Sequence, residues 1–172
     1  LEQATADEVS DWTYNAANPI LKLGASDSWD SEHVADPSIV YHGDVYHIYY
    51  GGRQDNEWQI GHATTTDFTD VTKDPNNPVV APREVNSEYK HVNDPNVIHD
   101  GERFYMIYAA NTGSVKRFEY ASSTDGGSWE LQEEPTFSPD PATGWEGTKL
   151  TNPGLLCDGD SYHLFYVGVV EK

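Results

Sequence analysis

The stretch HVADPSIV at residues 33–40 determines the fold, because it occurs three times in related form. It returns 58 residues later as HVNDPNVI at 91–98, and after a further 58 as KLTNPGLL at 149–156. Each copy has a polar approach, an Asp or Asn, a proline and a short apolar run, and leads through a glycine turn into an aromatic strand. An ungapped repeat of this length indicates several copies of one supersecondary unit.

Each unit is predicted to contain four antiparallel strands. In the first unit they are expected at 38–41, 45–50, 58–64 and 71–80. The third strand alternates with a period of two, turns fall at Gly and Asp clusters, and no amphipathic helix is predicted. Four strands in about 40 to 60 residues are typical of a β-propeller blade. The alternative is a β-sandwich whose hairpins merely resemble one another, and the long ungapped repeat favours the propeller.

The predicted fold class is therefore all-β, a single β-propeller domain over residues 1–172 that is incomplete in this chain. Its parts are a lead-in at 1–10, an outer closing strand at 11–21, a blade at 36–80, a second blade at 94–137 and a half blade at 152–172. Propellers close with about four to eight blades, so about two and a half blades do not form a ring. We expect either a missing C-terminal part or a homo-oligomer to complete it.

The composition limits the partners. The chain carries 29 acidic and 10 basic residues, a net charge of −19. Such a field repels nucleic acid and anionic membranes, so neither is expected as a main partner. The acidity fits a protein from a salty environment or an ordinary acidic secreted protein. We expect secretion or a periplasmic location, with the cytoplasm of a halophile as the alternative. One cysteine, Cys157, gives no disulfide framework.

Candidate functional residues stand where the units begin. In a propeller the innermost strands surround a central shaft, so the residues before each first strand converge on one face. Asp36 and Asp94 hold this place, and Glu146 stands at a position that repeats as Glu88 and Asp30. The predicted catalytic residues are Asp36, Asp94 and Glu146. The predicted substrate-binding residues are Trp29, His33, Arg53, His91, Trp145 and Asn152.

Several carboxylates facing one cavity favour glycoside hydrolysis. One acid must protonate the leaving oxygen while another activates water or attacks the sugar carbon. Crowding raises one pKa and leaves the other low, which separates the roles. The alternative is a purely structural role, in which an Asp before a Pro only stabilises a turn. Two matching histidines, His33 and His91, are weak evidence for a metal, so no metal ligand is predicted. No cofactor is predicted either, and a structural calcium ion is left open as an alternative.

The residues also resemble a known group of enzymes. ADPSIV at 35–40, YHIYY at 46–50 and IGHAT at 60–64, with NPIL at 18–21, resemble the five-bladed β-propeller glycosidases. That group includes the arabinanases and xylosidases of glycoside hydrolase family 43, the invertases of family 32 and the mannoside phosphorylases of family 130. The resemblance covers about residues 11–170 and implies the N-terminal blades of a five-bladed propeller.

The resemblance implies roles for individual residues. In the arabinanase-like group Asp36 would be the general base and Asp94 would tune the pKa and orient the substrate. The general acid would be a Glu at the head of the third blade, where this chain has Asn152, so Glu146, six residues upstream, is the candidate. In the invertase group an Asn precedes Asp-Pro-Asn, which resembles residues 93–96 and would shift the register by one blade.

Three functions follow as hypotheses. The first is a glycoside hydrolase acting on an oligo- or polysaccharide, so that carbohydrate is the expected partner. The second is a carbohydrate-binding or degenerate propeller without the acid, and the third is a protein-binding platform. Phosphorolysis, a variant of the first, would need cations near the mouth, for which the sequence offers Arg53, Arg83, Lys90 and Lys149.

Overall fold

The computed structural model describes residues 1–82, 91–132 and 136–170. Three of the residues named above, Arg83, Glu88 and Lys90, lie outside these ranges, as do residues 133–135 of the blade expected at 94–137. The described chain contains twelve strands and one short 3-10 turn, Pro141–Thr143. None of its helices is long and apolar enough to cross a membrane.

The first blade is a four-stranded antiparallel sheet with its strands in sequential order. These strands are β3 (His33–His42), β4 (Val45–Gln54), β5 (Glu57–Thr65) and β6 (Thr72–Lys73), preceded in the chain by β1 (Ala4–Thr5) and β2 (Thr13–Tyr14). An isolated bridge from Ile60 to Val80 extends the pairing beyond β6. The region predicted to hold the fourth strand, 71–80, is therefore two short paired pieces rather than one strand.

The second blade repeats this order and carries a hairpin beside it. Its strands are β7 (His91–His99), β8 (Phe104–Asn111), β9 (Lys116–Ser123) and β10 (Glu130–Leu131), and the hairpin is β11 (Lys149–Cys157) with β12 (Tyr162–Val169). The hairpin joins the blade through one parallel pair, Lys149 with Lys116. Two four-stranded blades and half of a third thus follow one another along the chain.

The first strand of each unit is longer than the sequence predicted. The prediction began this strand at Ser38, after the proline, but β3 begins at His33 and pairs with Arg53. Asp36 has a φ of 51° and interrupts the pairing between Ala35 and Ser38 as a β-bulge, after which the ladder resumes. Asp and Asn tolerate this left-handed conformation better than other side chains. The Asp-Pro step is thus a bulge within a strand.

The N-terminal segment pairs with itself. Thr13 and Tyr14, in the stretch expected to form an outer closing strand, pair with Thr5 and Ala4 of the expected lead-in. The amide of Asn15 helps to hold this turn by donating to the side-chain oxygen of Gln3 at 2.9 Å. Local amide groups therefore give residues 1–14 an order that the polar composition did not predict.

Two matching hydrogen bonds join neighbouring units next to the bulges. The Val97 N–H donates to the Ser38 hydroxyl at 2.9 Å, and the Leu155 N–H donates to the Asn96 side-chain oxygen at 2.7 Å. Ser38 and Asn96 are equivalent in the repeat, 58 positions apart, and we call these bonds the inter-blade latches. They place the start of each first strand beside the start of the next, which brings the predicted site residues together.

Candidate active site

The starts of the three first strands meet around one cavity of about 190 Å³. Each contributes a bulge residue with nearly the same backbone, since φ is 51° at Asp36, 51° at Asp94 and 54° at Asn152. We call these residues the three heads. The cavity is lined by Asp36, Pro37, Asp94, Pro95, Asn96, Asn152 and Pro153. The structure therefore brings together two predicted catalytic residues and one predicted binding residue.

Asp94, the second head, is held by donors on both carboxylate oxygens. Lys116 Nζ and the Thr151 hydroxyl donate to Oδ2 at 2.7 and 2.9 Å, and the Asn93 amide donates to Oδ1 at 2.8 Å. Burial acts to raise the pKa of Asp94, but the hydrogen bond and charge of Lys116, with the Thr151 hydroxyl and the Asn152 backbone N–H, more than offset it and lower the pKa. This carboxylate is ionised and fixed in orientation.

Asp36, the first head, has the opposite electrostatics. The residue is exposed at the rim of the cavity. The pKa of its carboxyl is raised, first by partial burial and then by the charge of Asp94 and a hydrogen bond shared with it, while the charge of Lys116 opposes the rise. The two carboxyls therefore form a pair in which Asp36 takes up a proton more readily than Asp94.

Trp58, the second residue of β5, lies beside the first head. A Cβ built on Gly51 would be 3.3 Å from the Trp58 ring and 3.6 Å from Asp36 Oδ2, so the glycine allows indole and carboxyl to approach the same backbone. The His33 ring lies 5.8 Å from the Trp58 ring, and Arg53 Cζ lies over it at 5.5 Å. Two of the predicted substrate-binding residues, His33 and Arg53, thus contact Trp58 at the mouth.

The remaining contacts of this group are polar. Arg53 Nε forms an ion pair with Glu32 at 3.3 Å. The Trp58 backbone N–H donates to His91 Nδ1 at 3.4 Å, which connects the first blade to the start of the second. Since His33, Arg53 and His91 all lie around Trp58, the structure places these predicted binding residues in one group at the mouth end of β4 and β5.

Glu146 lies elsewhere, which corrects the expectation that it reaches the mouth as the general acid. Only 4% of the residue is exposed, and it is absent from the cavity lining. Its carboxylate accepts hydrogen bonds from the Tyr166 hydroxyl at 2.6 Å and from the Asp140 backbone N–H. Asp30 accepts from the Tyr50 hydroxyl at 3.1 Å in the same way, two repeat lengths earlier. These acids anchor the approach loops of the first and third units to the second strands of those units.

Trp29 and Trp145, the two tryptophans predicted to bind substrate at the mouth, pack against the same tyrosines as these acids. Trp29 stacks on Tyr50 with ring centres 5.6 Å apart, and Trp145 stacks on Tyr166 at 5.8 Å. A Cβ built on Gly52 would be 2.2 Å from the Trp29 ring, so the approach loop packs directly on the backbone of β4. Neither tryptophan lines the cavity of the heads. The aromatic ring near the first head is that of Trp58, which approaches Gly51 as Asp36 does.

The family model for the N-terminal domain of glycosyl hydrolases family 32 matches residues 3–154. The chain belongs to this family. Among solved structures, 106 chains match this chain, and none of the curated proteins matches it. The predicted recognition and the predicted all-β, incomplete propeller are confirmed by this match and by the sheets described above. The particular likeness to family 43 stays a prediction.

Three solved structures illustrate the shared fold. A family 117 glycoside hydrolase from the marine bacterium Zobellia galactanivorans has a TM-score of 0.69 at 18% identity, over 85% of this chain and 51% of its own. The family 32 β-fructofuranosidase of Bombyx mori has a TM-score of 0.61 at 20% identity, over 78% and 29%. A putative glycoside hydrolase from Bacteroides ovatus has 0.61 at 19%, over 67% and 38%. This family 32 domain thus spans about half or less of each of these proteins.

Lys116, Thr151 and Trp58 are the site residues that sequence reasoning missed. All three were treated as ordinary strand or approach residues, because nothing in a single unit distinguishes them. The repeat carried the signal, since Trp58 and Lys116 are 58 positions apart and stand at the same place in their units. At this repeat position the first unit has an indole and the second has a cation, although the residues around the position are similar in the two units.

Other features of the family 32 domain lie away from the heads. Histidines collect at the opposite end of β4, where His47 contacts His62 at 3.1 Å and His42 stacks on His99 at 3.7 Å. A larger cavity, of about 380 Å³, lies against residues 17–24 and 69–73 and contains none of the predicted site residues. Within the described ranges, no group of three or more His, Cys, Asp or Glu side chains is arranged to hold a metal ion.

Proposed function

We propose that this domain hydrolyses glycosidic bonds of an oligo- or polysaccharide, with Asp36 and Asp94 at the reacting centre. The observation that carries the proposal is the meeting of two carboxyls from neighbouring blades in one cavity, with pKa values displaced in opposite directions. Glycoside hydrolysis needs an ionised carboxylate at the reacting carbon, as base or nucleophile, in addition to a proton donor for the leaving oxygen. The family match supports this class of reaction.

The contacts separate the two roles. Asp94 accepts three side-chain hydrogen bonds, so it supplies a fixed negative charge close to the positive charge that develops on the sugar ring. Asp36 has no such set of donors and is exposed to the cavity, so it is the carboxylate that activates water or attacks the anomeric carbon. Its raised pKa makes it a stronger base than a free aspartate.

The leaving oxygen needs a proton, and the third head does not supply one. Asn152 donates hydrogen bonds but has no acidic proton. In this proposal the described part of the domain is therefore most effective on substrates whose leaving group departs without protonation. Aryl glycosides with acidic phenols are such substrates. Natural saccharides need a proton donor from a residue that does not line this cavity.

The test compares two leaving groups in the parent chain and in variants. A panel of dinitrophenyl glycosides and the matching oligosaccharides is assayed with the parent, Asp36→Asn and the surface control Asp160→Asn. Asn adopts the left-handed conformation as readily as Asp, so Asp36→Asn keeps the bulge. We expect turnover of the activated glycosides by the parent and the control, and a loss of about 10²- to 10⁴-fold in Asp36→Asn. Equal rates in parent and Asp36→Asn would refute the proposal.

A second candidate is a carbohydrate-binding propeller without catalysis, favoured by the amide at the third head. Its decisive result is sugar binding, measured by calorimetry, with no turnover of even the most activated glycoside. Asn152→Glu distinguishes the two functions further. It places a carboxyl where the arabinanase-like resemblance expects the acid. A catalytic centre gains activity on substrates with poor leaving groups, whereas a binding module gains none.

A further inference from the structure

The first two blades carry different side chains at one repeat position beside their heads. Lys116 begins β9 and Trp58 stands at the start of β5, 58 positions earlier. In β8–β9 Lys116 is paired with Asn111, and in β4–β5 Trp58 is paired with Arg53, so the two positions match in register as well as in sequence. The heads themselves have the same residue type and the same φ of 51°. The contrast between indole and ammonium is therefore not a consequence of different backbones.

We propose that Lys116 is a positioning residue that keeps Asp94 ionised and oriented, so that Asp36 is the only carboxyl of the pair that exchanges a proton. Its meaning for catalysis rests on the proposed function, but the protonation of the two carboxyls is a property of the chain alone. Lys116 itself has no proposed contact with the substrate. It acts through Asp94.

The contacts form a closed triangle. Lys116 Nζ donates to Asp94 Oδ2 at 2.7 Å and to the Thr151 hydroxyl at 3.2 Å, and that hydroxyl donates to the same Oδ2 at 2.9 Å. The side chains of Lys116 and Asp94 are 16% and 13% exposed, so water screens their charges only in part. One residue from the second blade and one from the hairpin β11–β12 thus fix one carboxylate oxygen.

Few charged groups act on this pair of carboxyls. Asp94 is faced by Lys116 from β9, by Thr151 and the Asn152 N–H from β11, and by Asn93 from its own strand. Asp36 is faced by Asp94 and Lys116 across the cavity, with Trp58 and Gly51 on the side of its own blade. Lys116 is the only cation among these groups. Removing its charge therefore changes the proton affinity of both carboxyls, and that of Asp94 most.

The experiment measures each carboxyl directly, without substrate. The aspartate side chains of the full chain are labelled with ¹³C, and their titration is followed by NMR in the parent, Lys116→Gln and Lys116→Arg. Asp36→Asn and Asp94→Asn assign the signals. Thr151→Val is the matched control, since it removes a hydrogen bond to Asp94 but no charge. The pH dependence of turnover on activated glycosides is recorded beside each titration.

We expect the parent to titrate Asp94 at a lower pH than Asp36. Lys116→Gln is expected to strengthen proton binding at Asp94 by about 10- to 1,000-fold, as the loss of a neighbouring opposite charge does. Lys116→Arg is expected to restore the parent midpoint, and Thr151→Val to give a smaller change. The acid limb of the activity profile moves to higher pH in Lys116→Gln, which a merely structural contact would not cause.

The outcomes distinguish this inference from the proposed function. An unchanged Asp94 midpoint in Lys116→Gln overturns the positioning role, whatever the activity. If the Asp94 midpoint is displaced in Lys116→Gln but the parent shows no turnover, the result supports the role of Lys116 in ionising Asp94 and counts against the proposed hydrolysis. Should Lys116→Gln fail to fold, Lys116→Met takes its place, and an unchanged Asp94 midpoint in Lys116→Met overturns the positioning role in the same way.

Discussion

The first and second heads have the same backbone and different chemistry. Asp36 and Asp94 share a φ of 51°, a following proline and a bulge in the first strand of their blades. Yet Asp94 is fixed by Lys116 and Thr151, whereas Asp36 lies beside the Trp58 indole and is exposed. The repeat thus sets where each carboxyl stands, and one side chain at the start of the third strand sets how readily it takes a proton.

The third head extends the comparison. Asn152 keeps the left-handed φ, at 54°, and the following proline, but it has no charge. Asn and Asp both tolerate this conformation, so the fold alone accepts either. The backbone therefore does not require Asp at two heads and Asn at the third. The carboxyls of the first two heads are available for a functional role.

Removing the carboxyl of each head is expected to give the largest effect on stability. Asp94→Ala leaves the Lys116 ammonium largely buried without its partner and also places Ala at a positive φ, so we expect a loss of about 4 kcal/mol in the free energy of unfolding. Asp36→Ala has only the second cost, about 1 kcal/mol. Urea denaturation of both variants at pH 7 measures the difference. Equal losses would show that the Lys116 contact contributes nothing to stability.

The heads are also expected to respond oppositely to pH. The pKa of Asp94 is lowered in the folded chain, so its contribution to stability is present above its unfolded pKa and is lost as pH falls. The pKa of Asp36 is raised, so its contribution is present below its unfolded pKa and is lost as pH rises through the folded value. At pH 7 we therefore expect Asp94→Asn to be less stable than the parent and Asp36→Asn to be slightly more stable.

Thermal unfolding at pH 7 and at about pH 3 checks this pair of signs. Both differences from the parent should shrink in acid, and that of Asp94→Asn should shrink less, because the lowered pKa of Asp94 keeps this carboxylate ionised in the folded chain to lower pH. The histidines at the other end of β4 respond in the same range, since burial and the nearby His62 lower the pKa of His47 to about 4. They are present in every variant, so only differences from the parent are compared. A stability change of the same sign in both variants at pH 7 would contradict the expectation.

Giving the first blade the cation of the second tests whether this charge alone accounts for the different pKa values of the two heads. Trp58→Lys places an ammonium at the repeat position of Lys116, and we expect it to lower the pKa of Asp36 towards that of Asp94. Carboxyl titration by NMR measures the change, with Trp58→Gln as the uncharged control for loss of the indole. A midpoint of Asp36 that moves equally in both variants would assign the effect to the missing ring rather than to the new charge.

The sequence predicted the architecture because the repeat is a long-range signal in one dimension. Equal spacing of the Asp-Pro steps fixed the order of the blades and the convergence of Asp36 with Asp94, since both follow from the geometry of a propeller. The bulge was not predicted, because a proline normally marks the edge of a strand. Here Asp36 absorbs the irregularity at a positive φ, and pairing continues on both sides.

The predicted site residues that the structure places away from the heads are side chains whose partners are distant in sequence. Glu146 and Trp145 were expected at the mouth because they repeat Asp30 and Trp29, but the repeat is equally consistent with an anchor. Tyr50 and Tyr166, each 20 residues after its acid, hold these loops to the second strands. Only the structure shows which tyrosine meets which acid. The role of Lys116 was missed for the same reason, because its partner Thr151 lies 35 residues away in another unit.

The smallest expected effect concerns the inter-blade latches, which compare the joint between the first two blades with the joint to the hairpin. Ser38→Ala leaves the buried Val97 N–H without its acceptor, with an expected cost of about 2 kcal/mol. Asn96→Ala leaves the Leu155 N–H, which is only partly buried, so that water replaces the lost acceptor and the expected cost is nearer 1 kcal/mol. Asn96→Ser is the control, since it gives the second joint the latch residue of the first.

Hydrogen exchange gives the readout for each latch. Exchange at Val97 is expected to speed up in Ser38→Ala and not in Asn96→Ala, and exchange at Leu155 is expected to do the reverse. The third unit has Gly154 at the latch position, so the hairpin offers no side-chain acceptor of this kind to a following strand. If both variants changed exchange at both joints equally, the latches would act as one cooperative unit. The heads would then be positioned by the whole sheet rather than by a local bond beside each one.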